Sequence, residues 1–174
     1  MFFNLLYFRT VCFLTTILLY VGFPLSWVKA IPAFILLMCD NPKWTFLLAG
    51  LGDYFFDSPE TELLGIVFFG LHNLFLSLRG KEPPNFDFMF IFIGLGLMML
   101  PPTADQFQIA ATCYVFTLTN LLSTCTFNDL RSLGIVGFIC SDILVLCEII
   151  LKTGWLPGIG LPLYWGSLYL IALE

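Results

Sequence analysis

The 174 residues are 59% hydrophobic and only 11% charged, with a mean hydropathy of +0.95. Soluble domains carry about 25% charged residues, so this composition excludes an ordinary soluble fold and points to lipid. The net charge of −5 is spread over short loops without a basic cluster, which excludes nucleic acid as a partner.

Residues 1–30 imitate a signal peptide ending in Val28-Lys29-Ala30. Phe2 and Phe3 stand where a basic n-region belongs, and the apolar run exceeds the usual h-region of about 7–15 residues. The segment is therefore expected to stay as a first helix. Proline, glycine and charge clusters cut the chain into eight apolar segments, at about 8–23, 25–39, 44–57, 63–79, 87–101, 107–125, 133–151 and 159–173. A perpendicular span takes about 20 residues; several segments are nearer 15, a length suited to a compact bundle whose helices shield each other. Pro32 and Pro162 are expected to bend the second and eighth helices, because each removes a backbone donor and crowds the preceding turn. The connections are short, so residues 1–174 are expected to form one all-α, multi-pass membrane domain of about eight transmembrane helices.

The six cysteines, at 12, 39, 113, 125, 140 and 147, all lie inside apolar segments without a CxxC pair, and read as packing residues. With His72 as the single histidine, no metal site and no cofactor are expected. Glu148 is expected to pair with Lys152 one turn on.

Charge sets the orientation. Eight spans put both termini and the even loops on one side, which carries Arg9, Lys43, Arg79, Lys81 and Arg131, five of the seven basic residues. The positive-inside rule makes that side, with both termini, cytoplasmic; in a bacterium the membrane would be the inner one. Depth then follows from a helical rise of about 1.5 Å per residue. Asp53 lies ten residues past Lys43, Asp142 eleven past Arg131, Tyr164 ten before Glu174, Lys29 eleven before Asp40 and His72 seven before Arg79. All five fall about 10–16 Å from the cytoplasmic edge, in one layer.

The two aspartates are the most informative members of that layer. Asp53 is the only charge in WTFLLAGLGDYFF (44–56), and Asp142 sits midway along LGIVGFICSDILVLCEIIL (133–151). An ionisable residue at a spanning helix's centre costs about 2.5–3.5 kcal/mol on insertion scales, so it normally faces the protein interior and marks function. Each follows a small residue, Gly52 or Ser141, that admits a close neighbour. The two Asp dipeptides are 89 residues apart, near half the chain, a weak echo of two four-helix repeats. Two carboxylates in one low-dielectric pocket cannot both ionise cheaply, so identical residues can divide into general acid and general base. Lys29 would hold one as carboxylate, while His72 or Tyr164 would orient water or the leaving group. No GxSxG elbow supports a serine hydrolase, and GLGLMML (94–100) lacks the context of a nucleotide loop.

Four stretches in order carry a family likeness: Leu48-Ala-Gly-Leu-Gly-Asp53-Tyr-Phe-Phe, Phe68-Phe-Gly-Leu-His72-Asn-Leu-Phe, Gly137-Phe-Ile-Cys-Ser-Asp142-Ile-Leu, then Leu156-Pro-Gly with Tyr164-Trp-Gly-Ser-Leu-Tyr-Leu-Ile-Ala. Over roughly residues 25–174 the chain resembles the YhhN-like lysoplasmalogenase family of eight-helix membrane proteins, and Lys29 matches that family's second-helix lysine. It departs at Leu168, where the family usually has glutamine, and at Pro32, displaced from the family's position. The resemblance implies hydrolysis of the vinyl-ether bond of a lysoplasmalogen to a fatty aldehyde and glycerophospho-ethanolamine or -choline. It also implies Asp53 and Asp142 as catalytic residues, Lys29, His72 and Tyr164 as positioning residues, and a lysophospholipid-like substrate. The residues alone leave two alternatives open: a small proton-coupled transporter, since intramembrane carboxylates also relay protons, and a non-catalytic lipid-binding bundle.

Overall fold

The computed structural model describes residues 2–22, 26–37, 43–80, 83–126, 128–151, 154 and 157–173. All of the regular structure among them is helical: α1 (Phe2–Gly22), α2 (Ile31–Leu36), α3 (Lys43–Phe56), α4 (Glu62–Ser77), α5 (Phe86–Met99), α6 (Gln106–Ser123), α7 (Leu130–Leu151) and α8 (Pro157–Ala172), with a 3₁₀ turn at Ser26–Ala30 before α2. Eight apolar segments have become eight α-helices.

Short polar side chains start several of them. Asn85 accepts from the Phe88 N–H at 2.9 Å, and Asp129 from the Ser132 N–H at 2.7 Å. Asp105 and Gln108 satisfy each other's backbone donors in a capping box at 2.8 and 3.2 Å. The second segment departs from expectation. In place of one helix bent at Pro32, residues 26–30 wind as a 3₁₀ turn and Pro32 lies in the first turn of a six-residue α2. Proline has no N–H to donate, and the first helical turn has no acceptor for one, so the helix begins there. Pro162 does lie inside α8. Glu148 accepts from the Gly154 N–H at 2.7 Å; its expected partner Lys152 lies outside the described residues, as does Cys39. The five described cysteines are free, and Cys125 packs against the core.

Small residues decide which helices touch. A Cβ on Gly134 would lie 2.8 Å from the Ser167 carbonyl oxygen, one on Gly137 would meet Ser167 Oγ, and one on Gly160 would face the Ser141 carbonyl. Rising positions on α7 thus meet falling positions on α8, an antiparallel pair in backbone-close contact. On α3 and α4, Gly65 abuts the Phe56 backbone, and the missing side chain of Gly52 makes room for the Phe69 ring. Ser141 therefore admits a helix backbone, as the sequence suggested, whereas Gly52 admits an aromatic side chain. Around the bundle, α5 packs on α6, α6 on α4, α4 on α3, and α3 on the 3₁₀ turn and α2. α8 inserts against α7 and α2, and its Tyr169 and Trp165 rings meet Phe13 and Tyr20 of α1. Trp165, Phe46, Phe138, Leu36, Leu76, Leu121, Ile135 and Leu168 are fully buried.

Polarity is inverted relative to a water-soluble bundle. Asp53, His72, Asn73, Ser77, Asn120, Thr124, Arg131 and Ser132 are buried, while Leu18, Val21, Trp44, Phe90, Ile91, Met98 and Met99 are exposed. None of the helices, over the described residues, is both long and apolar enough to cross a membrane.

The packing predicts a contrast between two glycines. Gly134→Ala forces a methyl against the Ser167 backbone and should destabilise by about 1–3 kcal/mol, the usual range for overpacking. A Cβ on Gly94 of α5 meets nothing within 4 Å, so Gly94→Ala should leave the thermal midpoint unchanged or raise it through better helix propensity. Thermal unfolding in detergent reads both; equal loss in the two variants would refute the α7–α8 contact.

Candidate active site

The site is two carboxyls, each held by a tyrosine from another helix. Asp53, in the last turn but one of α3, is 2% exposed and accepts a hydrogen bond from Tyr164 Oη of α8 at 2.9 Å. Asp142, midway along α7, is half-buried and accepts from Tyr114 Oη of α6 at 2.5 Å. The two Tyr–Asp pairs are neighbours through one aromatic ring. Phe69 of α4 fills the space between the tyrosines, its ring centroid 6.4 Å from Tyr114 and 6.3 Å from Tyr164. This ring occupies the room that Gly52 leaves beside Asp53.

Tyr114 is the residue that sequence reasoning missed. The information was present: Tyr114 lies ten residues before Thr124, and Arg131, eleven residues before Asp142, contacts Thr124 across the α6–α7 turn at 3.4 Å. Counting from that shared end puts Tyr114 level with Asp142. Inside TCYVFT it read as one more aromatic packing residue. Its backbone carbonyl also takes a hydrogen bond from Thr117 Oγ1 at 2.7 Å, and Thr117 accepts from the buried Asn73 amide at 3.3 Å, which ties α6 to α4 just below the site.

His72 is fully buried, but its hydrogen bond goes elsewhere. Its Nδ1 lies 2.7 Å from the Thr45 carbonyl oxygen of α3. A carbonyl only accepts, so Nδ1 carries the proton and Nε2 is left as an acceptor; Nε2 is buried with no partner among the described residues. The Phe138 ring lies 5.5 Å from the His72 ring and 5.5 Å from the Tyr164 ring, and the His72 hydrogen bond goes to Thr45 and not to either aspartate. Lys29, in the 3₁₀ turn, pairs its ammonium with Asp57, four residues after Asp53 and just past the end of α3. Leu168 is fully buried in the apolar core and adds no polar group to the site.

The arrangement can do acid–base chemistry. Two carboxyls, one buried and one half-buried, each given one donor by a phenol, can supply a proton donor and a negative charge. No group of three histidine, cysteine, aspartate or glutamate side chains that could hold a metal ion occurs among the described residues. The open groove of about 370 Å³ at Pro83–Asp87 contains none of the site residues. Comparison of the chain with protein-family models, curated proteins and solved structures finds no match.

The tyrosines should be structural as well as positional. Tyr114→Phe and Tyr164→Phe each leave a carboxyl without its donor and should cost about 1–3 kcal/mol, the penalty for an unsatisfied buried polar group. Tyr7 is 73% exposed, so Tyr7→Phe should be silent. Chemical or thermal unfolding of the three variants checks this; a Tyr164→Phe protein as stable as the parent would contradict the Asp53 contact.

Proposed function

We propose that this chain is a membrane-embedded hydrolase of the lysoplasmalogenase type, cleaving the vinyl-ether bond of lysoplasmalogens with Asp53 and Asp142. The observation that carries the reading is the pair of interhelical contacts Tyr164–Asp53 and Tyr114–Asp142, whose tyrosines both lie against Phe69. The lipid setting is supported by the inverted polarity, with Met98, Met99, Phe90 and Leu18 outward and the polar residues inward. The family likeness in the runs around Asp53, His72, Asp142 and Tyr164 supplies the substrate class.

A vinyl ether is hydrolysed by protonating its β-carbon. The C=C π electrons form the new C–H bond, and an oxocarbenium ion is left at the carbon bound to oxygen. One aspartic acid gives that proton, and the carboxylate then formed or already present opposite stabilises the cation, much as paired carboxylates do in glycosidases. Water adds to the cation and passes a proton to a carboxylate. The hemiacetal collapses to aldehyde and the glycerol hydroxyl, which leaves the pair in its starting protonation state. Tyr114 and Tyr164 fix which oxygens face the substrate, and Phe69 between them presents an apolar surface for the alkenyl chain.

Asp53→Asn and Asp142→Asn keep size and hydrogen bonding but cannot exchange a proton. Each should lower hydrolysis by about 10²–10⁴, the usual contribution of general acid–base catalysis. The double variant should be little worse than either single one, because the pair acts as a unit. The parent's pH–rate profile should be bell-shaped, reporting values that belong to the pair. Aldehyde release by purified protein in detergent, where no gradient exists, reads all of these. Near-full activity in either variant would reduce that aspartate to a structural hydrogen-bonder, and absence of aldehyde from the parent would return the site to a proton relay or lipid-binding role.

A further inference from the structure

The Lys29–Asp57 ion pair is unused by the chemistry above, yet it is built into the same frame as Asp53. Asp57 follows Asp53 by four residues and stands immediately after the last residue of α3. Lys29 comes to it from the 3₁₀ turn, 28 residues away in sequence, with its ammonium 5.7 Å above the Phe56 ring centroid. Two adjacent residues of α8 lock the arrangement: Tyr164 holds Asp53, and Trp165 Nε1 donates to the Lys29 carbonyl at 3.3 Å. The charges at the rim are thereby fixed in distance from the carboxyl inside.

We propose that Lys29 and Asp57 are the headgroup subsite, taking a zwitterionic phosphate–ammonium group by exchanging their mutual ion pair for one with the ligand, phosphate on Lys29 and ammonium on Asp57. The assignment rests on the hydrolase reading and names the rim that selects its substrate. An ion pair that is partly open to solvent, with side chains 15% and 27% exposed, adds little to stability, so opening it costs little. A zwitterion replaces both partners at once, whereas an anionic headgroup would leave Asp57 facing negative charge.

The test is binding, so that it stands apart from turnover. The full chain in detergent is titrated with a saturated-ether lysophosphatidylethanolamine, which has no vinyl bond to cleave, with the corresponding 1-alkylglycerol, and with glycerophosphoethanolamine. Lys29→Met and Asp57→Asn should each weaken the phospholipid about tenfold or more, as expected for losing a charged hydrogen-bond partner, and leave 1-alkylglycerol unchanged. Lys29→Arg should restore phospholipid binding. Equal weakening of both lipids, which a merely structural ion pair would produce, overturns the assignment, and so does no weakening of either. Glycerophosphoethanolamine binding as tightly as the lipid would make this a site for a soluble phospho-amine and overturn the lipid assignment. If Lys29-dependent phospholipid binding is found but the parent releases no aldehyde from the vinyl-ether lipid, the headgroup subsite stands and the hydrolase reading fails.

Discussion

A carboxyl group removed from water must find a donor inside the protein, and Asp53 finds one on a helix distant in sequence. The Tyr164 hydroxyl crosses from α8 to α3 at 2.9 Å, and much of the interior is arranged so that it can. α8 is held against α7 by the glycines at 134, 137 and 160, which let the two backbones approach until Ser141 and Ser167 lie at the contact. The same α7 then carries Asp142 to Tyr114. Gly52 yields its volume to Phe69, whose ring lies against both tyrosines. Isolated buried charge is expensive and buried polar groups persist only when hydrogen-bonded, so the two Tyr–Asp contacts help to specify the helix arrangement.

Much of the helical layout is legible in the sequence, because turn chemistry marks the breaks. Asn85, Asp105 and Asp129 each cap the helix that follows them, and each stands where an apolar segment begins. Asp53 and Tyr164 are legible by depth, since helical rise converts sequence offset into height. Depth fails where the chain is not a regular α-helix. Lys29 stands in a 3₁₀ turn, where the α-helical rise does not apply, and its ammonium pairs with Asp57. Height also carries no lateral information. His72 lies deep in the bundle, yet its ring turns to the Thr45 carbonyl. Tyr114 has the right height and the right partner, but nothing in TCYVFT distinguishes a ring that donates from a ring that packs.

The proposed reaction assigns separate tasks to layers one helical turn apart. Charge at Lys29 and Asp57 meets the polar end of the lipid. The carboxyls of Asp53 and Asp142 meet the bond to be cleaved, and Phe69 meets the chain. On that proposal an apolar exterior and a polar interior belong together in one small bundle, because the proposed substrate has both characters. Further along the helices the network of Asn73, Thr117, Thr124 and Arg131 joins α4, α6 and α7, fixing from below the two helices that carry Tyr114 and Asp142.

The central claim is that an aspartic acid protonates the β-carbon of the vinyl ether. Hydrolysis of an alkenyl lysophospholipid by the purified protein in deuterated water, followed by mass spectrometry of the fatty aldehyde, tests it most directly. The account predicts aldehyde bearing a single deuterium on the carbon next to the carbonyl, formed by the parent and not by the Asp53→Asn variant. Aldehyde without that deuterium would contradict carbon protonation, and no aldehyde at all would contradict the hydrolase.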